Sequence, residues 1–210
     1  MKRKASRRYH SPGRAEQAQK TRDLIVGAAG KEFAKAGYAA TTVKAIADRA
    51  GVSVETLYKG FGGKPGLVRA LSAKGLAGRG PVPAPVRSDA IIANAKDPHA
   101  IVRAWGTLAA EVSPRVSPLL LLVRAAAQTE PALVDILEQD SAQRLARMRH
   151  NAQRLADRGF LRAGVSANQA ADLMWALTAP ELYELLVVRR RWKPAQLGDH
   201  IATTLAAALL

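Results

Sequence analysis

Between residues 42 and 64 the chain sets out hydroxyls, ammonium groups and one carboxylate at short intervals: Thr42, Lys44, Ser53, Val54, Glu55, Thr56, Tyr58, Lys59 and Lys64. These types suit nucleic acid. Val54 offers an apolar contact for a thymine methyl, Glu55 an acceptor for a cytosine amine, Thr56 a hydroxyl and Lys59 an ammonium. Tyr58, Lys59, Thr42 and Lys64 suit phosphate. Thr42 and Lys64 also stand at expected helix N-termini, where free N–H groups favour anions.

Two helical runs must position this set. In "TTVKAIADRA", Val43, Ile46, Ala47 and Ala50 share a face, and Thr41 or Thr42 can cap the N-terminus. In "VETLYKGF", Leu57 and Phe61 lie one turn apart and point inward with Ile46 and Ala47. Only "GVS" separates the runs. Gly51 can take the left-handed conformation that ends one helix, and Ser53 can cap the next. A stop and restart this tight sets two helices at a steep angle, as in a helix-turn-helix. In that motif the second helix enters the major groove and the first crosses the backbone.

Charge agrees with this reading. The formal net charge is +15, and residues 1–80 hold 17 Lys/Arg against 5 Asp/Glu. The first third of the chain therefore favours a polyanion partner. There are no cysteines, which excludes disulfides, thiolate zinc sites and cysteine nucleophiles. The four histidines are far apart without metal-ligand spacing, so no metal site is expected. No cofactor fingerprint appears, and "GFGGKPG" lacks the spacing of a phosphate-binding loop. The opening "MKRKASRRYHSPGRAEQ" has no apolar segment after it, and "PLLLLV" is too short to span a bilayer. A cytoplasmic protein without membrane contact is expected.

Ala and Leu dominate, and strand-like alternation is hard to find, so the chain reads as all-α. Residues 1–13 form a basic arm, either along DNA or as a solubilising tail. Residues 14–77 form the helix-turn-helix domain, opening with a long helix that carries Leu24, Ile25, Ala28 and Phe33 and stops at Gly37. Residues 78–89, rich in Pro and Gly, form a linker. Residues 90–210 form a second helical domain. Within it, Ser113-Pro114 and Ser117-Pro118 look like helix starts. Asp140 and Arg144 are spaced to pair along one helix, Ser166 and Gln169 form a capping box, and Pro180 interrupts a helix. Leu197, Ile201 and Leu205 form an apolar stripe on the last helix.

The stretch "GYAATTVKAIADRAGVSVETLYKGFGGKPGLVRAL" resembles the DNA-binding domain of tetracycline-repressor-like (TetR family) transcriptional regulators. The matching residues run from Gly37-Tyr38 through Thr41-Thr42, Ile46-Ala47, Ala50-Gly51-Val52-Ser53, Thr56-Leu57-Tyr58 and Phe61 to Lys64 and Leu67. Glu55, Gly60 and Pro65 depart from the family's usual residues, which puts the operator sequence out of reach. The resemblance implies a homodimer that binds a palindromic double-stranded DNA operator, represses transcription, and is released by a small-molecule effector. It places dimer contacts on the last two helices, with Leu197, Ile201 and Leu205 as candidates. It places a ligand pocket in the second domain, with Trp105, Met148, Met174, Trp175 and Tyr183 as candidates. All of these side chains also fit ordinary core. Two rival readings stay open: a nonspecific, nucleoid-type DNA-binding protein, and a helical small-molecule carrier without operator binding. An enzyme is not expected.

Overall fold

In a computed structural model, residues 12–210 are described, and they are helical without strands. All but the last two residues of the expected basic arm lie outside them. The chain divides into two compact units, with the division between Leu67 and Val68.

The first unit holds α1 (Pro12–Ala40), α2 (Val43–Ala50), α3 (Val54–Phe61) and the start of α4 (Lys64–Ala77). Gly37, at φ 78, breaks the helical path of α1 where a stop is expected. Ile25, Val26, Ala29 and Phe33 of α1 are buried with Tyr38, Ile46, Ala47, Leu57 and Leu67. Leu24 is instead 60% exposed, because it lies one position off the stripe that Ile25, Ala29 and Phe33 define. Thr41 is buried, with its hydroxyl donating to the Gly37 carbonyl at 2.6 Å, so the N-cap of α2 falls to Thr42.

The second unit continues with α5 (Ala84–Asn94), α6 (Pro98–Ala127), a 3₁₀ turn (Pro131–Leu133), α7 (Val134–Asp157), α8 (Ala167–Leu177), α9 (Pro180–Tyr183), a π-helical segment (Glu184–Arg189) and α10 (Pro194–Leu209). Its core joins Ile92, Ile101, Val102, Trp105, Ala152, Leu155, Met174 and Leu209. The Ser166–Gln169 capping box is present, and the chain breaks before Pro180 as expected.

Four expectations need correction. The segment 78–89 is a loop only to Pro83, which stands at the N-cap of α5, and Pro85 fits the first turn of that helix. Pro114 and Pro118 lie inside the continuous helix α6. Val116, Ser117 and Leu120 are buried around them, and that packing outweighs the two lost N–H donors. Asp140 and Arg144 make no ion pair: Asp140 accepts from the Ser72 hydroxyl at 2.9 Å, and Arg144 turns to α8. Finally, Leu197, Ile201 and Leu205 are 1–2% exposed in the single chain. They pack in their own subunit's core, so they cannot form a dimer contact surface.

Two glycines explain how closely α10 lies on α6. A methyl built on Gly106 would collide with the Gly198 carbonyl, and one built on Gly198 would collide with the Gly106 carbonyl. The backbones touch where neither helix carries a side chain.

Glu111 on α6 anchors the preceding loop. Its carboxylate accepts two bonds from the Arg87 guanidinium, at 2.6 and 3.0 Å, and one from the Arg79 backbone N–H. The Arg87 bond, above all, holds the carboxyl down at about 2, below its ordinary 4.5. A depressed carboxylate stabilises the fold fully above its unfolded pKa and loses that contribution as pH falls through the folded value. We expect the melting temperature to fall between pH 4.5 and about 2. Glu111→Gln should melt lower at neutral pH, and its deficit should shrink across that window in a calorimetric pH series.

Candidate nucleic-acid interface

The corner between α2 and α3 is built by local bonds. Gly51, at φ 68 and ψ 35, donates to the Asp48 carbonyl at 3.3 Å, and Val52 donates to the Ala47 carbonyl at 3.1 Å. This pair closes the last turn of α2 as a Schellman motif. One residue later, Ser53 Oγ accepts from the Thr56 N–H at 3.1 Å and caps α3. Gly62, at φ 69, ends α3 and donates to the Tyr58 carbonyl at 2.8 Å.

With Leu57 wholly buried, the other face of α3 is fixed outward. Val54, Glu55, Thr56, Tyr58 and Lys59 are all exposed, Tyr58 by 53% and Val54 by 38%. Thr42 is exposed at the start of α2, where its Oγ1 accepts from the Ala45 N–H at 3.1 Å. Its hydroxyl proton is left to donate to an anion. Lys44 pairs with Asp48 at 2.7 Å on open surface, a bond weak enough to yield to phosphate.

Lys64 is placed differently from the expectation. Its Nζ donates to the Tyr38 carbonyl at 3.0 Å and stands 4.3 Å from the Tyr38 ring centre. That ammonium holds the start of α4 to the end of α1, so a phosphate contact does not fit its placement. Phe61 is only half-buried, with the Arg22 guanidinium 4.5 Å over its ring. Arg49 of α2 pairs with the nearly buried Glu32 of α1, which ties the corner to the long helix. Neither contact was foreseen, because each joins residues far apart in sequence without a spacing rule.

Residues 25–71 match the model of a family described as bacterial regulatory proteins, tetR family. The N-terminal domain belongs to the tetR family. This family comprises DNA-binding transcriptional regulators, not enzymes. Over 62 residues the chain is 42% identical to the uncharacterized HTH-type transcriptional regulator YvkB of Bacillus subtilis (strain 168). The alignment takes in 30% of this chain, and the chain spans about a third of the length of this curated relative (33%). Beyond the tetR-family domain, likeness is in fold. The fatty acid degradation regulator FadR from Bacillus halodurans superposes with a TM-score of 0.68 at 16% identity, covering 97% of this chain and 96% of that one. The SmeT–triclosan complex gives 0.69 at 22% identity, covering 90% and 91%. A TetR transcription regulator from Haloarcula marismortui gives 0.65 at 18% identity, covering 92% and 100%.

The second unit holds a partly open cavity of about 360 Å³. Of the five expected pocket residues, Trp105, Met148 and Met174 line it. Trp175 faces elsewhere: its indole N–H donates to the Ser141 carbonyl at 3.3 Å. Tyr183 is in the core, where burial pushes its phenol pKa up. Missed were the polar residues of α7 on the cavity wall, Asp140, Arg144, Arg147 and Asn151. Their spacing was legible as one helical face, but it reads equally as a solvated one. Among the described residues no group of His, Cys, Asp or Glu could hold a metal, and no helix is long and apolar enough to cross a membrane.

Proposed function

We propose that this chain is a transcriptional repressor that binds a palindromic operator as a homodimer and is released by a small molecule held in the cavity of the second unit. The outward face of α3, capped at both ends and held by the buried Leu57, carries the reading. Val54, Glu55 and Thr56 meet base edges, while Thr42, Lys44, Tyr58 and Lys59 meet the backbone. The cavity supports a ligand: about 360 Å³ falls within the usual range for small-molecule sites, roughly 300–1,000 Å³. Release follows if the ligand prefers a conformation that fits the operator poorly, since a ligand shifts an equilibrium only by its differential affinity. Leu185 and Val188, 52% and 45% exposed on the π-helical segment, offer apolar surface to a second copy in place of the buried α10 stripe.

Selection of bound duplexes from a randomised DNA pool, followed by footprinting at two salt concentrations, tests the reading. A palindromic footprint held at least ~10³-fold more tightly than bulk DNA supports it. Binding abolished by competitor DNA would favour nonspecific coating, which the basic first third also permits. Lys59→Ala should weaken binding to all sequences alike and lower the salt slope by about 1. Tyr58→Phe should weaken binding without changing the melting temperature. Unchanged affinity in both variants would overturn the contact assignment.

A further inference from the structure

Resting on the ligand-pocket reading above, we propose that the cavity takes an amphipathic monocarboxylate, its apolar body against α6 and its carboxylate on Arg144. The two long walls of the cavity differ in kind. From α6 come mostly apolar residues, Leu108, Val112, Val116 and Leu120 beside Ser113 and Ser117, and from α7 mostly polar ones, Asp140, Arg144, Arg147 and Asn151 beside Met148. A ligand lying between them needs one apolar side and one polar end.

The charges on the polar wall are not matched equally. Arg147 pairs with Asp89 at 2.6 Å, and Asp89 also meets His150 at 3.1 Å. Asp140 accepts from Ser72. Glu181 pairs with Arg124 at 2.5 Å. Among the described residues no carboxylate lies at ion-pair distance from Arg144. Its Nη1 donates to two neutral acceptors, the Trp175 carbonyl and the Thr178 hydroxyl, and its Cζ lies 4.6 Å from the centre of the Trp175 ring. Among the described residues, Nε is buried without a partner and Nη2 makes no hydrogen bond. That unpartnered Nε–Nη2 edge is the side on which a carboxylate forms a two-bond fork.

Burial pushes the Arg144 pKa down, yet a guanidinium keeps its proton throughout the physiological range. The positive charge therefore stays, partly buried, with Asp140 and Glu181 acting on it only from beyond ion-pair distance, and an anion on its open edge would complete the pairing. Two further donors on buried lining residues, Ser88 Oγ and Trp105 Nε1, also lack partners, as does the acceptor Asn151 Oδ1. The cavity volume sits at the small end for ligand sites, which favours a medium-chain or aryl acid over a long-chain one.

The test is calorimetric titration of the full chain near neutral pH with decanoate, decanol, decylamine and a naphthalene carboxylate. It is repeated on Arg144→Gln, Arg144→Lys and Val112→Trp. At least one acid should bind ~10-fold or more tighter than the alcohol, the usual worth of a hydrogen bond to a charged group. The amine should bind worst. Arg144→Gln should bring the acid down to the alcohol's affinity, and Arg144→Lys should keep part of the preference. Because acid and alcohol are compared within each variant, a general loss of stability cannot imitate this result. Equal binding of acid and alcohol, or a preference that survives Arg144→Gln, would overturn the carboxylate assignment while leaving the cavity a ligand site. Binding of no probe, or binding indifferent to Val112→Trp, would overturn the pocket reading and this inference with it.

Discussion

Gly198→Ala should destabilise the second unit by about 1–3 kcal/mol, the usual cost of forcing a methyl into a packed interior. The collision is with backbone: the new methyl meets the Gly106 carbonyl, and the Ala110 methyl stands only 2.9 Å from it. A flexible side chain could swing aside, but a carbonyl in mid-helix cannot, so α10 must lift off α6. Lifting α10 disturbs Leu197, Ile201 and Leu205, which lie buried along the same helix. Gly198→Leu should therefore cost more than Gly198→Ala, although leucine is a far better helix former than glycine. The mirror change, Gly106→Ala, should behave alike, and the double variant should cost less than the sum, because helices already separated no longer clash. Chemical denaturation of the four proteins checks this. An Ala variant at either position with wild-type stability would show that the helices do not meet there.

Leu57→Ala should cost the first unit ~2–5 kcal/mol, the range for truncating a fully buried leucine. Leu57 is wholly buried and is the one buried residue of α3. Removing its side chain leaves α3 held by its two caps and by the half-buried Phe61 under Arg22. DNA binding should then fail through unfolding: affinity near normal well below the new melting point, collapsing as the midpoint is approached. Lys59→Ala should show the reverse, with weakened affinity at every temperature and an unchanged melting curve. Melting curves with binding titrations at two temperatures separate the two cases. A Leu57→Ala protein of normal stability would mean that the faces of α3 are assigned the wrong way round.

What could be read without coordinates was what neighbouring residues decide among themselves. The Gly51 stop, the Ser53 cap, the Thr42 cap and the Ser166–Gln169 box all depend on groups within a few positions of one another. Where distant packing decides, reading failed. Ser-Pro at 113–114 and 117–118 carries the local chemistry of a helix start, but burial on both sides carries α6 through. The α10 stripe correctly announced an apolar face, yet periodicity cannot say whether the covering helix belongs to the same chain or to a second one. Met174 lines the cavity and its neighbour Trp175 does not, because one step along a helix turns a side chain by about 100°. Lys64 reads in sequence as a helix-start cation suited to phosphate, and only the folded path of the chain brings the Tyr38 carbonyl to it.

The bonds that shape the α2–α3 corner have a consequence for the order of events during folding. Gly51 to Asp48, Val52 to Ala47 and Thr56 to Ser53 each span five residues or fewer. Short loops close in well under a microsecond, and contacts of low sequence separation carry little closure entropy. The angle at which α3 leaves α2 can therefore be set early in folding. The Arg49–Glu32 pair and the Lys64–Tyr38 bond, which reach back 17 and 26 residues, close later onto a corner already bent.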